Sequence, residues 1–273
     1  MGRVGAYSSS MDVIISKTRT DAEKKAGAEV VDAIRRKPDL VLGLATGSSP
    51  IGIYNYVAEH IRDHGLDVSK ITCFALDEYI GLEPTHPESY HAVLKKYVID
   101  QWGLRPEQVF VPNGMAEDPR AEADNYEAEM AKRGFADLQI VGIGSNGHIG
   151  FNEPGSALGS RTRVKTLHPQ TRQYNSRFFD NDIDAVPVHC ITQGIGTVMD
   201  ADRVLMIATG AAKAVAVAGM VEGPVAAMVP ASALQFHRRC DVYVDAVAGA
   251  ALKARDYYDF VSENEDAIPS PRR

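Results

Sequence analysis

Cysteine is scarce in this chain. Cys73, Cys190 and Cys240 are the three in 273 residues, and none stands in C-x-x-C spacing. An odd, scattered set excludes a disulfide framework and a thiolate zinc site, and reads as apolar residues of a reducing compartment. Long apolar runs are missing too, with nothing near the ~18 residues of a membrane-spanning helix. The start lacks the apolar core of a signal peptide, and Ala6 stands where a myristoylation site needs Ser or Thr. A cytoplasmic protein is expected. Basic charge is in deficit, 29 Lys+Arg against 36 Asp+Glu for a net charge of −7, the reverse of the basic footprint of a general nucleic-acid binder. No repeat, long linker or low-complexity tract divides the chain. One domain over residues 11–273 is expected behind a Gly/Ser-rich leader at 1–10, because Met11-Asp-Val-Ile-Ile reads as a second beginning.

What is present is alternation. Short β-rich apolar runs occur at 13–15, 40–44, 71–76, 109–111, 138–143, 204–208 and 242–244. Between several of them lie helical patterns. Residues 21–36 place Ala22, Ala26, Val30, Ala33 and Ile34 at steps of three and four before Pro38 stops them. Ser49-Pro50 predicts a capped helix start, and helices are further expected over 86–101, 121–133 and 211–221. Strand–helix alternation implies βαβ crossovers. The expected fold is a Rossmann-like three-layer α/β sandwich, a mostly parallel sheet flanked by helices. In such sheets ligands sit beyond the carboxyl ends of the strands.

Four of those ends carry polar clusters. After 40–44 comes ATGSSPIG, where Thr46, Gly47, Ser48 and Ser49 offer hydroxyls and backbone N–H groups at a helix start. This is either a plain capped turn or an anion cradle, and without a G-K-[ST] it is no Walker loop. After 71–76 comes Asp77-Glu78-Tyr79. A carboxylate there caps the next turn or, desolvated, abstracts a proton. His86 and His91 follow without H-E-x-x-H spacing, so no metal is expected. After 138–143 comes GSNGHIGFNEPGS. Gly142, Gly144 and Gly147 satisfy G-x-G-x-x-G, yet Asn-Glu-Pro-Gly breaks the chain where a dinucleotide site needs a helix. Residues 154–179 then hold Arg161, Arg163, Lys165, Arg172 and Arg177 with no acid, a stretch suited to a small anion or simply a solvated loop. After 204–208, Lys213 stands one turn inside a Gly-led helix, within reach of a phosphate.

Taken together, LGLATGSSP, LDEYIGL, HPESYH, GIGSNGHIGFNEPGS, SRTRVKTL, NSRFFDND and PASALQFH resemble the glucosamine-6-phosphate deaminases of the glucosamine/galactosamine-6-phosphate isomerase family, over roughly residues 14–244. That resemblance implies conversion of glucosamine 6-phosphate and water to fructose 6-phosphate and ammonium, with no cofactor. Asp77 would move a proton between C2 and C1. His148 would open the sugar ring, oriented by Glu153 and Asn146. Thr46, Gly47, Ser48, Ser49, Arg177 and Lys213 would hold the phosphate, and residues 172–179 would form a lid. Ser156, Arg163, Lys165 and Thr166 match an effector site for N-acetylglucosamine 6-phosphate in allosteric, hexameric members, so an activated homo-oligomer is expected.

The chemistry of the residues is consistent with those roles. Imidazole exchanges protons near neutrality, and a carboxylate behind it fixes its tautomer. Some members carry Asp where this chain has Asn146, so the pH–rate inflection tied to His148 is expected at lower pH here. Two other readings share the scaffold. A phosphogluconolactonase-like hydrolase would lack the paired LDEY and GHIGFNEP stretches. A sugar-phosphate sensor would carry a helix-turn-helix ahead of the sheet, where this chain spells a strand and one helix.

Overall fold

The computed structural model describes residues 11–264, so the leader expected at 1–10 lies outside the described residues. The strands are β1 (Met11–Ser16), β2 (Val41–Leu44), β3 (Thr72–Ala75), β4 (Asp77–Tyr79), β5 (Val109–Phe110), β6 (Leu138–Gly142), β7 (Arg163–Thr166), β8 (His189–Thr192), β9 (Val204–Ala208) and β10 (Cys240–Asp245). The helices are α1 (Arg19–Arg36), α2 (Ile51–His64), α3 (Tyr90–Leu94), α4 (Asp100–Trp102), α5 (Pro119–Ala131), α6 (Pro169–Asn175), α7 (Ile195–Met199), α8 (Ala214–Val221) and α9 (Arg255–Asn264).

Seven strands form one sheet in the order β1-β10-β9-β6-β2-β3-β5, every pair parallel. These are the seven strands expected from the sequence. Parallel strands covered on both faces need unbroken apolar runs, and VLMIA of β9 is buried at every position. Helix α1 starts where Thr18 accepts a hydrogen bond from the Asp21 N–H, and buries Ala22, Ala26, Val30 and Ile34. One apolar cluster joins these helix stripes to both faces of the sheet, each fully buried Leu, Ile or Val contributing about 1.5–3 kcal/mol.

Two local expectations need correction. Pro50, already at helical φ and ψ, occupies the cap position of α2 without any side-chain cap, so Ser49 lies one residue outside the cap. The helix expected over 86–101 begins at Tyr90, where Ser89 caps it, and passes through a π-helical segment, Lys95–Ile99, into α4.

A second, antiparallel sheet, β4-β8-β7, has no counterpart in the sequence expectations. Leu76 alone separates β3 from β4, so the chain leaves the large sheet and enters the small one within a single residue. Thr192 of β8 is paired with Asp77 on one side and Arg163 on the other. Tyr79, Phe151, Leu167, Phe179, Val186 and Cys190 form the small sheet's own core.

Strand order also positions the site. From β2 the chain winds outward through β3 to β5, then returns to β6 beside β2 and winds the other way through β9 to β10. The loops after β2 and β6 therefore diverge, opening the crevice where ligands bind in parallel sheets.

Candidate active site

A cavity of about 320 Å³ fills that crevice. It is lined by Thr46, Gly47, Ser48 and Ser49 after β2, Asp77 at the sheet crossing, Asn146 and His148 after β6, Tyr174 and Arg177 around α6, and Lys213 after β9. Five segments distant in sequence thus meet at the carboxyl edge of the sheet.

Asp77 is 4% exposed. Burial, reinforced by the neighbouring Glu78, raises its carboxyl to about 8, against a lowering contribution from the Phe151 N–H. Capping falls to Glu78 instead. Its carboxylate accepts hydrogen bonds from the N–H groups of Tyr79 at 2.8 Å, Tyr90 at 3.0 Å and His91 at 2.9 Å, which fixes the first turn of α3. This division of labour between adjacent carboxylates was not legible in the sequence, because the amides involved lie 12 and 13 residues away.

His148 projects from a tight turn in which Gly144 N–H donates to His148 O at 2.8 Å. A Cβ on Gly144 would overlap the imidazole ring, so the glycine creates the ring's seat. His148 Nδ1 is buried, has no hydrogen bond, and faces Glu153 Oε2 at 3.5 Å. Asn146 Nδ2 donates to the same Oε2 at 2.9 Å, while Asn146 Oδ1 accepts the His148 N–H at 3.2 Å. Burial alone would raise the Glu153 carboxyl. The contact and charge of His148, with hydrogen bonds from Thr171 and Asn146, outweigh it and hold the group at about 2. Glu153 is therefore a fixed anion behind the ring.

At the opposite wall, Arg177 lies over the Tyr174 ring at 3.9 Å, and Lys213 lies 5.4 Å from the same ring. Burial lowers the Lys213 ammonium, and the nearby Arg177 adds to the effect. Two cations held close together suit a doubly charged anion. The hydroxyl turn beside them is staked by Arg19, whose Nη2 donates to Ser48 O at 2.9 Å. Asp245 braces the Lys213 turn by accepting the Gly210 N–H at 3.1 Å.

Residues 172–179 are tied to the floor of the site. Asn175 Nδ2 donates to Tyr79 Oη at 2.8 Å, and Tyr90 Oη lies 3.4 Å from the same oxygen. Two other cations of the acid-free stretch have partners elsewhere. Arg161 pairs with Asp200 at 2.6 Å and Glu127 at 2.5 Å, and Arg172 donates to the Ile183 and Val186 carbonyls. Their acids and carbonyls come from other segments, so only Arg177 of the five lines the cavity.

The four residues matched to an effector site lie away from the cavity. Arg163 donates to Asn152 Oδ1 at 2.8 Å, Thr166 Oγ1 lies 3.2 Å from His189 Nδ1, and Lys165 is half-buried. Ser156 is buried, its hydroxyl without a partner. Alternation along β7 sends Arg163 and Lys165 to one face and Thr166 to the other.

Residues 16–243 match the family described as glucosamine-6-phosphate isomerases/6-phosphogluconolactonase. A glucosamine-6-phosphate deaminase of Bifidobacterium longum (strain DJO10A) is 48% identical over 264 residues, covering 94% of this chain and 98% of that protein. One from Pseudarthrobacter chlorophenolicus is 50% identical over 255 residues, covering 93% and 98%. Among solved structures, a protein described as a monomeric glucosamine-6-phosphate deaminase superposes with a TM-score of 0.86 at 41% identity, covering 88% of this chain and all of that one. A 6-phosphogluconolactonase from Trypanosoma cruzi, with a TM-score of 0.71 at 16% identity and covering 91% and 100%, shares the fold alone. The chain belongs to the glucosamine-6-phosphate isomerase/6-phosphogluconolactonase family.

Proposed function

We propose that this protein is an enzyme that isomerises and deaminates glucosamine 6-phosphate, consuming water and giving fructose 6-phosphate and ammonium. One observation carries the reading: a buried carboxyl held near pH 8 and an imidazole backed by a fixed anion face the same cavity as a two-cation cradle. The 48–50% identity to glucosamine-6-phosphate deaminases supports it over the hydrolase and sensor readings.

The roles follow from what each step demands. Thr46, Gly47, Ser48, Ser49, Arg177 and Lys213 hold the phosphate, so binding energy at one end positions the reacting carbons at the other. His148 takes the proton of the C1 hydroxyl and delivers one to the ring oxygen, opening the sugar. Glu153 and Asn146 keep the ring in register for both transfers. Asp77 as carboxylate takes the C2 proton and returns it to C1 while one proton of the C2 ammonium passes to the C1 oxygen, converting the amino aldehyde through an enolamine to a C2 imine. Water adds at C2 and ammonia leaves. An ammonium group on C2 places a cation beside Asp77 and favours its charged form, which readies the base as substrate arrives.

Residues 11–273 act as one domain in this reading, in the cytoplasm, where the three buried free thiols suit a reducing environment. Ser156, Arg163, Lys165 and Thr166 form a site for N-acetylglucosamine 6-phosphate in a homo-oligomer, hexameric by resemblance. Sedimentation with and without that ligand distinguishes this assembly from the monomeric state described for the 41% identical relative. Among the described residues no helix is long and apolar enough to cross a membrane.

The activity is tested by ammonia release from glucosamine 6-phosphate with no added cofactor or metal. Release that matches fructose 6-phosphate formed and disappears in Asp77→Asn is the expected result. No release, with N-acetylglucosamine 6-phosphate also supplied, overturns the reading.

A further inference from the structure

Thr192 is fully buried on β8, directly across from Asp77 in the small sheet. Its hydroxyl accepts the Phe151 N–H at 3.1 Å, and that same N–H faces the Asp77 carboxylate and stabilises its charged form. The three groups converge on Gly150, where an added Cβ would stand 3.1 Å from Thr192 Oγ1 and 3.3 Å from Asp77 Oδ2. The donor is bonded to the hydroxyl, with the carboxylate close enough to compete for it.

We propose that Thr192 is a positioning residue that divides the Phe151 N–H between its own hydroxyl and Asp77, and so sets how strongly the base holds its proton. It rests on the reading of Asp77 as the proton-transfer base. A carboxylate that received this N–H alone would gain a stronger hydrogen bond to its charged form and become a weaker base. Thr192 keeps Asp77 basic.

The surroundings leave this amide as an adjustable donor. Glu78 on β4 is committed to three amides of its own. Tyr79 on β4, Tyr90 on α3, Tyr126 on α5 and Cys190 on β8 also interact with Asp77, and burial raises each of them, so they stay neutral in the working range. His148 and Lys213 share the cavity, and Arg163 pairs with the far side of Thr192. None of these would change when the Thr192 hydroxyl is removed.

The turn that presents the amide is rigid. Asn152, fully buried, donates through Nδ2 to Ile149 O at 2.9 Å and Gln193 O at 2.8 Å, and accepts from Arg163 at 2.8 Å. Thr192 Oγ1 also donates to Gln193 O, at 3.3 Å. Because Asn152 already satisfies that carbonyl, Thr192→Val orphans neither it nor the Phe151 N–H, and it preserves the side chain's shape.

The experiment is a carboxyl 13C NMR titration of the full chain labelled at aspartate, with Asp77 assigned by the signal lost in Asp77→Asn. The expected result is a midpoint in Thr192→Val lower than wild type by about 0.5–1 on the pH scale, with Thr192→Ser unmoved because it keeps the hydroxyl. Thr192→Ala, which removes the same hydroxyl without a new methyl, must move in the same direction and serves if the valine variant misfolds. An unmoved midpoint in Val and Ala, or an equal shift in Ser, overturns the proposal. The pH profile of kcat/KM separates the two readings. If its limb fails to follow the NMR midpoint while the midpoint still shifts, Asp77 is not the base, but the division of the amide stands.

Discussion

Asn146 Nδ2 and His148 Nδ1 address the same atom, Oε2 of Glu153, at 2.9 Å and 3.5 Å. The carboxylate is thereby shared between an amide donor and the imidazole. Replacing that donor with a second carboxylate sets two anions side by side, and protonation of the ring relieves their repulsion. Asn146→Asp should move the acid limb of the pH–rate profile to higher pH. A limb that stays where it was would show that the amide and the carboxylate are interchangeable behind this ring.

As the proposed base, Asp77 would couple catalysis to stability with a definite sign. Its folded value of about 8 lies above the ordinary 3.8, so the native state holds a proton that the unfolded state has released. Stability from this group is full below about pH 4, declines by up to ~1.4 kcal/mol per pH through that window, and levels off above about 8. Asp77→Asn cannot ionise. It should abolish turnover while its melting temperature exceeds that of wild type by a margin that widens from pH 5 to 8. Melting curves across that range check it.

Gly144→Ala places a methyl where the His148 ring now rests. The ring must leave its position beside Glu153, and a positioned acid–base group typically contributes ~10²–10⁴-fold. A fall in kcat of at least about 10²-fold is expected, with the far-ultraviolet circular dichroism of wild type. Full activity would mean that ring opening does not depend on this placement.

Lys213→Met and Arg177→Met each remove one cation from the cradle facing Tyr174. Charge-assisted hydrogen bonds are worth about 1.5–3 kcal/mol, so KM for the phosphorylated sugar should rise by roughly 10–100-fold in each. Unphosphorylated glucosamine, turned over at whatever low rate, should be indifferent to both changes.

Tyr79→Phe removes the hydroxyl that Asn175 binds from the segment over the site. Amide hydrogen exchange across residues 169–179 should speed up while exchange in the large sheet stays unchanged. Equal protection in both proteins would assign the segment's order to the apolar packing of its Phe179 in the small sheet's core.

The large sheet was legible because most of its strands are buried on both faces, which leaves continuous apolar runs such as VLMIA. The small sheet was not. DEY, RVKT and HCIT are three or four residues long and carry charge or histidine, with an alternation too brief to separate from loop. The polar clusters of the site were readable for a related reason: each sits at the end of a readable strand. Residues that act through contact across the fold left no local mark. Glu78 capping α3, Arg19 holding Ser48 and Thr192 beside Asp77 are set by topology. Ser49 was misassigned because a Ser-Pro pair reads as cap and first turn, whereas the proline itself takes the cap.

The single residue between β3 and β4 has a consequence for which sugars fit. In the proposed reading most of the phosphate grip is built on the large sheet, through the turns after β2 and β9, while Asp77 opens the small sheet at the seam between the two. The span from anchored phosphate to base is therefore a ruler whose two ends belong to different frames. A shift at the seam would recalibrate the carbon that meets the base, letting the same fold accept a sugar chain of another length without changing one residue of the phosphate grip.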